Sequence, residues 1–139
     1  HDIHTTMIAK KIERLEKNVL VVDDYEDVRE SLAEVLEDTG KVVATAANGI
    51  DAIEILKKQP IDLVVSDILM PEMDGIELIK ATRELLPDMK FILISGGSRY
   101  NDDFNYLEMT KTLTGIDSLL SKPFDTEELI TMVDTMLAS

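Results

Sequence analysis

Five polar residues that could together handle a phosphoryl group each lie at the end of a short apolar run of strand length. The residues are Asp23, Asp24, Asp67, Ser95 and Lys122. In an open parallel sheet, ligands bind in the crevice beyond the carboxyl ends of the strands, so these side chains should converge although they are far apart in sequence. A cluster of carboxylates needs a cation, and oxygen ligands of this kind suit Mg²⁺. The pattern predicts a site at which an aspartate handles a phosphoryl group.

Each of these signals has an ordinary structural explanation when it is taken alone. Asp23 and Asp24 could belong to a turn or a helix cap, and Asp67 alone is as ambiguous as that pair. A serine such as Ser95 is common where a strand ends. Pro123 would end the strand before it, and a cis Lys122–Pro123 bond would aim the lysine back into the crevice. The joint pattern is more specific, because all five residues fall at the same end of alternating strands. The set also combines three acids with one lysine, so it supplies opposite charges.

Apolar runs alternate with amphipathic segments along the chain, and this rhythm predicts an α/β fold with a parallel sheet covered by helices on both faces. Strands are predicted at 19–22, 41–46, 62–66, 91–94 and 116–120. Helices are predicted around 28–36, 50–56, 76–86, 102–113 and 126–137. Gly40 should cap the first helix, Asn48-Gly49 should form the turn after the second strand, and Asp125 or Thr126 should cap the last helix.

The first seventeen residues fall outside this rhythm. Residues 1–17 are predicted to be a linker or an extra helix, and residues 18–139 to be one domain. A short helix over 7–17 would place Ile8, Ile12 and Leu15 on one side. A seam of that length is too short for a coiled coil.

Composition limits the partners and the compartment. The formal net charge of −14 argues against a nucleic-acid surface, because such binding relies on cations that replace counterions at phosphates. The chain contains no apolar run long enough to span a membrane and no secretory signal, so no membrane association is expected. It has no cysteine, which excludes disulfides and thiolate metal sites and fits a cytoplasmic protein.

At these residues the chain resembles the receiver domain of bacterial two-component response regulators, over about residues 18–138. The most specific portion is the segment 67–75, in which an aspartate is followed by Met70-Pro71 and Asp74-Gly75 at the family spacing. The resemblance implies a doubly wound, flavodoxin-like fold with five parallel strands in the order 2-1-3-4-5.

The resemblance also implies a role for each residue. Asp67 would be the phosphoacceptor, taking a phosphoryl group from a histidine kinase or a histidine phosphotransfer protein. Asp24, Asp67 and the backbone carbonyl of Leu69 would contact Mg²⁺ directly, and Asp23 would act largely through water. Lys122 would pair with the phosphoryl oxygens. The hydroxyl of Ser95 would move to bond the phosphoryl group and so switch the binding of a downstream protein.

Three features depart from the family pattern. Leu119 stands where many members carry an aromatic residue that turns inward, so a rotating aromatic switch is not expected. The stretch between Ser95 and Lys122 is longer than in minimal receivers and holds Tyr100, Phe104 and Tyr106. These aromatics could simply pack within a long loop. Alternatively, they could form a partner surface that moves on phosphorylation.

The third departure concerns hydrolysis. Leu69 and Gly97 occupy positions that tune dephosphorylation in the family, and neither side chain can hydrogen-bond an attacking water. Slow intrinsic hydrolysis is therefore expected.

The resemblance predicts a signalling switch rather than a turnover enzyme, either monomeric or dimeric when phosphorylated. The main alternative is a protein-interaction module of the same fold that works without phosphorylation. A Mg²⁺-dependent hydrolase with an aspartyl-phosphate intermediate would need a second acid two residues beyond the nucleophile. Leu69 occupies that position, which disfavours this alternative.

Overall fold

Five parallel strands form one sheet in the order β2-β1-β3-β4-β5 in the computed structural model, which describes residues 3–13, 16–96 and 119–138. The strands are β1 Asn18–Val22, β2 Val42–Ala46, β3 Leu63–Asp67, β4 Lys90–Ser95 and β5 Leu119–Ser121. The helices over these residues are α1 Ile3–Glu13, α2 Glu26–Asp38, α3 Gly49–Lys58, α4 Gly75–Leu85 and α5 Thr126–Ala138. The predicted fold class and strand order are confirmed.

The two central strands are buried on both faces, as their unbroken apolar runs predict. Every residue of β3 is buried, and so is every residue of β1 after Asn18. Side chains alternate between two core clusters because successive residues of a strand point to opposite faces. Val64 packs in a cluster with α1, α3 and α4, whereas Val65 packs in a second cluster with α2 and α5.

The N-terminal helix was predicted in the wrong register. It spans Ile3–Glu13 instead of 7–17, and it packs on the core through Met7, which is 4% exposed, and Ile3. Ile8, which was predicted to lie on the apolar side, is 39% exposed. Ile3 and Met7, four residues apart, thus form the described core-facing side of α1, and the side chains of Ile12 and Leu15 lie outside the described residues. No helix in the described ranges is both long and apolar enough to cross a bilayer.

Most predicted boundaries agree with the structure within one or two residues. Gly40 follows α2 at a φ of +89°, as expected of a helix C-cap. Asn48 lies in the bend between β2 and α3, and its side chain also caps α3 by accepting a hydrogen bond from the Asp51 N–H at 2.8 Å. The predicted strand residues 116–118, the helix over 102–113, Gly97 and the three aromatics Tyr100, Phe104 and Tyr106 lie outside the described residues.

Candidate functional site

Three carboxylates meet at the carboxyl end of the two central strands. One oxygen each of Asp23, Asp24 and Asp67 lies within 4.8 Å of the others. The sheet register explains this, because β1 and β3 are parallel neighbours with Val22 paired to Ser66, so that the residues after both pairs lie at the same edge. The structure thus brings the three carboxylates together, as the sequence predicts.

The cluster is largely withdrawn from water. Asp23 is fully buried and Asp67 is 7% exposed, while Asp24 is half-buried. Burial raises the pKa of Asp67 to about 6, because the charged form loses its hydration; the charge of Lys122 opposes this and the neighbouring acids add to it. Burial likewise raises the pKa of Asp23, against the N–H of Tyr25 and the charge of Lys122.

The donor set fits a hard divalent cation. Asp23 Oδ1 accepts a hydrogen bond from the Tyr25 N–H at 2.9 Å. Asp23 Oδ2 and Asp24 Oδ1 are buried and have no hydrogen-bond partner among the described residues. Buried polar atoms are nearly always satisfied in native proteins, and carboxylate oxygens are the ligands that Mg²⁺ prefers. An oxygen-binding cation would satisfy both atoms and offset the mutual repulsion of the acids.

Lys122 supplies the positive charge at this edge. It directly follows β5, its backbone N–H donates to the Ser95 carbonyl at 2.9 Å, and its side chain is half-buried. The charge of Lys122 holds down the pKa of both Asp67 and Asp23, so the lysine acts on the same cluster. The Lys122–Pro123 peptide bond is cis.

Ser95 ends β4 one residue beyond the partner of Asp67. In the register of the sheet, Asp67 pairs with Ile94, and the Ile68 N–H donates to the Ile94 carbonyl at 3.0 Å. Ser95 is therefore on the strand next to the acidic cluster and is buried. The position of Ser95 at the end of β4 agrees with the predicted one. Movement of its hydroxyl toward a phosphoryl group stays a prediction.

The loop between β3 and α4 starts directly at Asp67. Its ends are closed by a 2.7 Å hydrogen bond from the Gly75 N–H to the Ile68 carbonyl. A Cβ at position 75 would lie 2.8 Å from the Asp67 carbonyl oxygen, so only glycine allows this approach. Leu69, two residues after Asp67 in this loop, is 41% exposed. The predicted metal contact of its carbonyl stays a prediction.

Sequence reasoning missed two contributors to the site. The Arg29 guanidinium donates to the Asp23 carbonyl at 2.8 Å, and its charge lowers the pKa of Asp23. Its sequence signal was weak, because an arginine in the second turn of an amphipathic helix is common. Gly75 belongs to the 67–75 motif, but its close backbone approach to Asp67 leaves no signal in the sequence.

Comparisons with known proteins agree on one family. The family whose sequence model matches residues 19–134 is described as the response regulator receiver domain. The response regulator receiver protein CpdR of Brucella abortus is 37% identical over 123 residues, which cover 87% of this chain and 97% of CpdR. The sensor kinase CckA of the same organism is 36% identical over 94% of this chain, but over only 14% of the kinase.

Solved structures give the same result. The chemotaxis protein CheY4 of Vibrio cholerae superimposes with a TM-score of 0.77 at 28% identity, covering 88% of this chain and 99% of CheY4. The signal receiver domain of a histidine kinase from Syntrophus aciditrophicus gives a TM-score of 0.77 at 30% identity, over 88% of this chain and 90% of that one. The similarity therefore extends to stand-alone receivers and to receivers within kinases.

Proposed function

Because this chain belongs to the response regulator receiver domain family of two-component systems, we propose that Asp67 is its phosphoacceptor. The observation that carries the proposal is the group of three carboxylates within 4.8 Å, two of whose buried oxygens lack a hydrogen-bond partner in the part of the chain that the structure describes. The phosphodonor would be a histidine kinase or a histidine phosphotransfer protein, and the reaction would require Mg²⁺.

The transfer itself needs little beyond position and charge. A carboxylate oxygen of Asp67 forms a bond to phosphorus as the bond from phosphorus to the donor imidazole nitrogen breaks, and the imidazole leaves with the electron pair. With a pKa of about 6, Asp67 is ionised at neutral pH and can act as the nucleophile. The products are an aspartyl phosphate and a free histidine.

The remaining residues would hold the transferred group. Asp24, Asp67 and the Leu69 carbonyl would bind Mg²⁺ directly, with Asp23 acting through water, and the ion would neutralise charge on the phosphoryl oxygens. Lys122 would form an ion pair with the same oxygens. The hydroxyl of Ser95, which is buried on the adjacent strand, would donate to the phosphoryl group and favour the active conformation.

We assign the domain to signalling, not to turnover of an external substrate. Phosphorylation would shift the binding of a downstream protein, and the protein would be a cytoplasmic monomer or a dimer formed on phosphorylation. The charge of −14 supports a protein partner over nucleic acid.

Intact mass spectrometry tests the proposal directly. Incubation with MgCl₂ and acetyl phosphate should add one phosphoryl group to the wild-type protein, and EDTA should abolish the addition. Asp67→Asn should remain unmodified, whereas Asp27→Asn, which removes an exposed acid on α2, should be modified like the wild type. Phosphorylation of Asp67→Asn, or of the wild type in EDTA, would contradict the proposal. A wild type that stays unmodified with MgCl₂ and acetyl phosphate would contradict it too, and would favour an interaction module that works without phosphate.

A further inference from the structure

The loop that joins Asp67 to α4 is held at two glycines. At one of them, Gly75 closes the loop on its own start through the hydrogen bond to the Ile68 carbonyl. At the other, the side chain of Met73 lies against Gly49, the buried first residue of α3. The second contact ties the loop to a different element, and the family roles of the site residues do not include it.

Met73 fills the space that any other residue at position 49 would need. A Cβ built on Gly49 would lie 2.7 Å from Met73 Sδ, 2.8 Å from its Cγ and 2.9 Å from its Cβ. Rotation of the methionine side chain could move the first two atoms, but Met73 Cβ is fixed by the backbone. A side chain at position 49 would therefore displace either the loop or the start of α3.

The backbone of Gly49 does not itself require glycine. Gly49 is not at positive φ, unlike Gly40, and alanine is a better helix former than glycine. The close approach of Met73 is thus the physical reason that glycine suits this position.

The residue before Met73 is strained. Glu72 has a φ of 70°, which is uncommon for a residue with a side chain, and the Met73 N–H donates to the Pro71 carbonyl at 2.8 Å. These features make a tight three-residue turn. Strained turns persist when the surrounding structure fixes them, and Met73, the last residue of this turn, lies against Gly49.

We propose that Gly49 and Met73 are positioning residues: their contact sets the place of the loop at 68–74 beside Asp67, and with it the affinity of the site for Mg²⁺. This inference rests on the proposed function, because it takes the Leu69 carbonyl in that loop as a metal ligand. Both residues would act through the position of the loop backbone.

A double-mutant cycle tests the coupling with MgCl₂ as the only ligand. Gly49→Ala should weaken Mg²⁺ binding by about tenfold, the size seen when a group that orients a metal ligand is lost. In a Met73→Gly background, which removes all three contacting atoms, Gly49→Ala should leave the affinity unchanged. Equal losses in both backgrounds, or no loss in either, would overturn the proposal.

Gly40→Ala is the matched control. Gly40 is at a φ of +89° with nothing within 4 Å of a built Cβ, so alanine there strains the backbone away from the site. This variant should be less stable than the wild type but should bind Mg²⁺ within about twofold of it, since it leaves every metal-orienting group in place. A loss as large as that of Gly49→Ala would show that general destabilisation explains both, and would overturn the proposal.

Backbone amide shifts separate this inference from the proposed function. They are measured without metal. Gly49→Ala should shift the amides of residues 68–70 and 72–74 when Met73 is present, and should not shift them in the Met73→Gly background. Unmoved amides overturn the positioning role even if the wild type binds Mg²⁺ well. A wild type that binds no Mg²⁺ contradicts the proposed function and the affinity part of this inference together.

Discussion

Asp67 must be ionised to attack phosphorus, yet it is buried beside two other acids. Burial and the charges of Asp23 and Asp24 raise its pKa to about 6, and the charge of Lys122 keeps it from rising further. The balance leaves a carboxylate that is ionised near neutral pH but poorly solvated. The folded protein therefore bears a free-energy cost for this charge whenever no cation is bound.

That cost makes stability depend on pH in a defined direction. The folded-state pKa of Asp67, about 6, exceeds the value of 3.8 expected when unfolded, so between these values the folded state holds more protons. Its contribution to stability is fully present below 3.8 and is lost as the pH rises through 6. In Mg²⁺-free buffer at pH 7, Asp67→Asn should be more stable than the wild type by about 1 to 3 kcal/mol.

Urea unfolding of both proteins at about pH 4, 5, 6 and 7, which spans the two pKa values, measures the difference in their free energies of unfolding. It should be smallest at the lowest pH and should widen steadily. Asp27→Asn, which removes an exposed acid, should not open the same gap. A constant gap between wild type and Asp67→Asn at all four values would contradict the assigned pKa.

Leu69 should slow the loss of the phosphoryl group. Its side chain follows Asp67 by two residues, is 41% exposed and cannot hydrogen-bond a water. Leu69→Asn supplies an amide that can orient an attacking water, so the aspartyl phosphate should decay several-fold faster. Decay is followed by intact mass after the phosphodonor is removed, with Leu69→Val as the apolar control. Equal decay of the asparagine variant and the wild type would refute this expectation.

At the level of elements, sequence patterns succeeded where local chemistry decides the outcome. The apolar runs gave the central strands because both faces of β1 and β3 are buried, and the strand-end acids followed from that register. Two helix ends were also predictable. Gly40 adopts a positive φ after α2, and the Asp125 side chain accepts a hydrogen bond from the Glu128 N–H at 2.8 Å at the start of α5.

The patterns failed where a tertiary contact decides. The side of α1 that meets the core depends on the fit of Ile3 and Met7 to residues far along the chain. The contact between Gly49 and Met73 likewise joins two elements and leaves no periodic signal. The cap by Asn48 is a different, local case, because Asn-Gly is equally typical of a turn and of the start of a helix.

The corrected register of α1 predicts unequal effects of two neighbouring substitutions. Met7→Ala removes a side chain that is 4% exposed and should reduce the free energy of unfolding by about 2 kcal/mol, the lower part of the range for buried truncations. Ile8→Ala removes a side chain that is 39% exposed and should cost less than about 0.5 kcal/mol. Chemical denaturation of both variants checks this, and the opposite order would restore the 7–17 register.

For the molecule as a whole, a formal charge of −14 means that any cation reduces repulsion, so a specific metal site must be distinguished from general screening. Screening depends on ionic strength and acts at every exposed acid. Binding depends on the concentration of one ion and stabilises only through the residues that hold it.

Mg²⁺ should therefore raise the melting temperature of the wild type beyond the effect of NaCl at equal ionic strength. At a Mg²⁺ concentration 100 times the dissociation constant, linkage gives about 2.7 kcal/mol of stabilisation. The excess should be much smaller in Asp24→Asn, which deletes one of the three clustered carboxylates, and unchanged in Asp27→Asn. An excess that is the same in all three proteins would assign the effect to the acidic surface. Asp24→Asn changes the carboxylate cluster, whereas Asp27→Asn removes only an exposed acid.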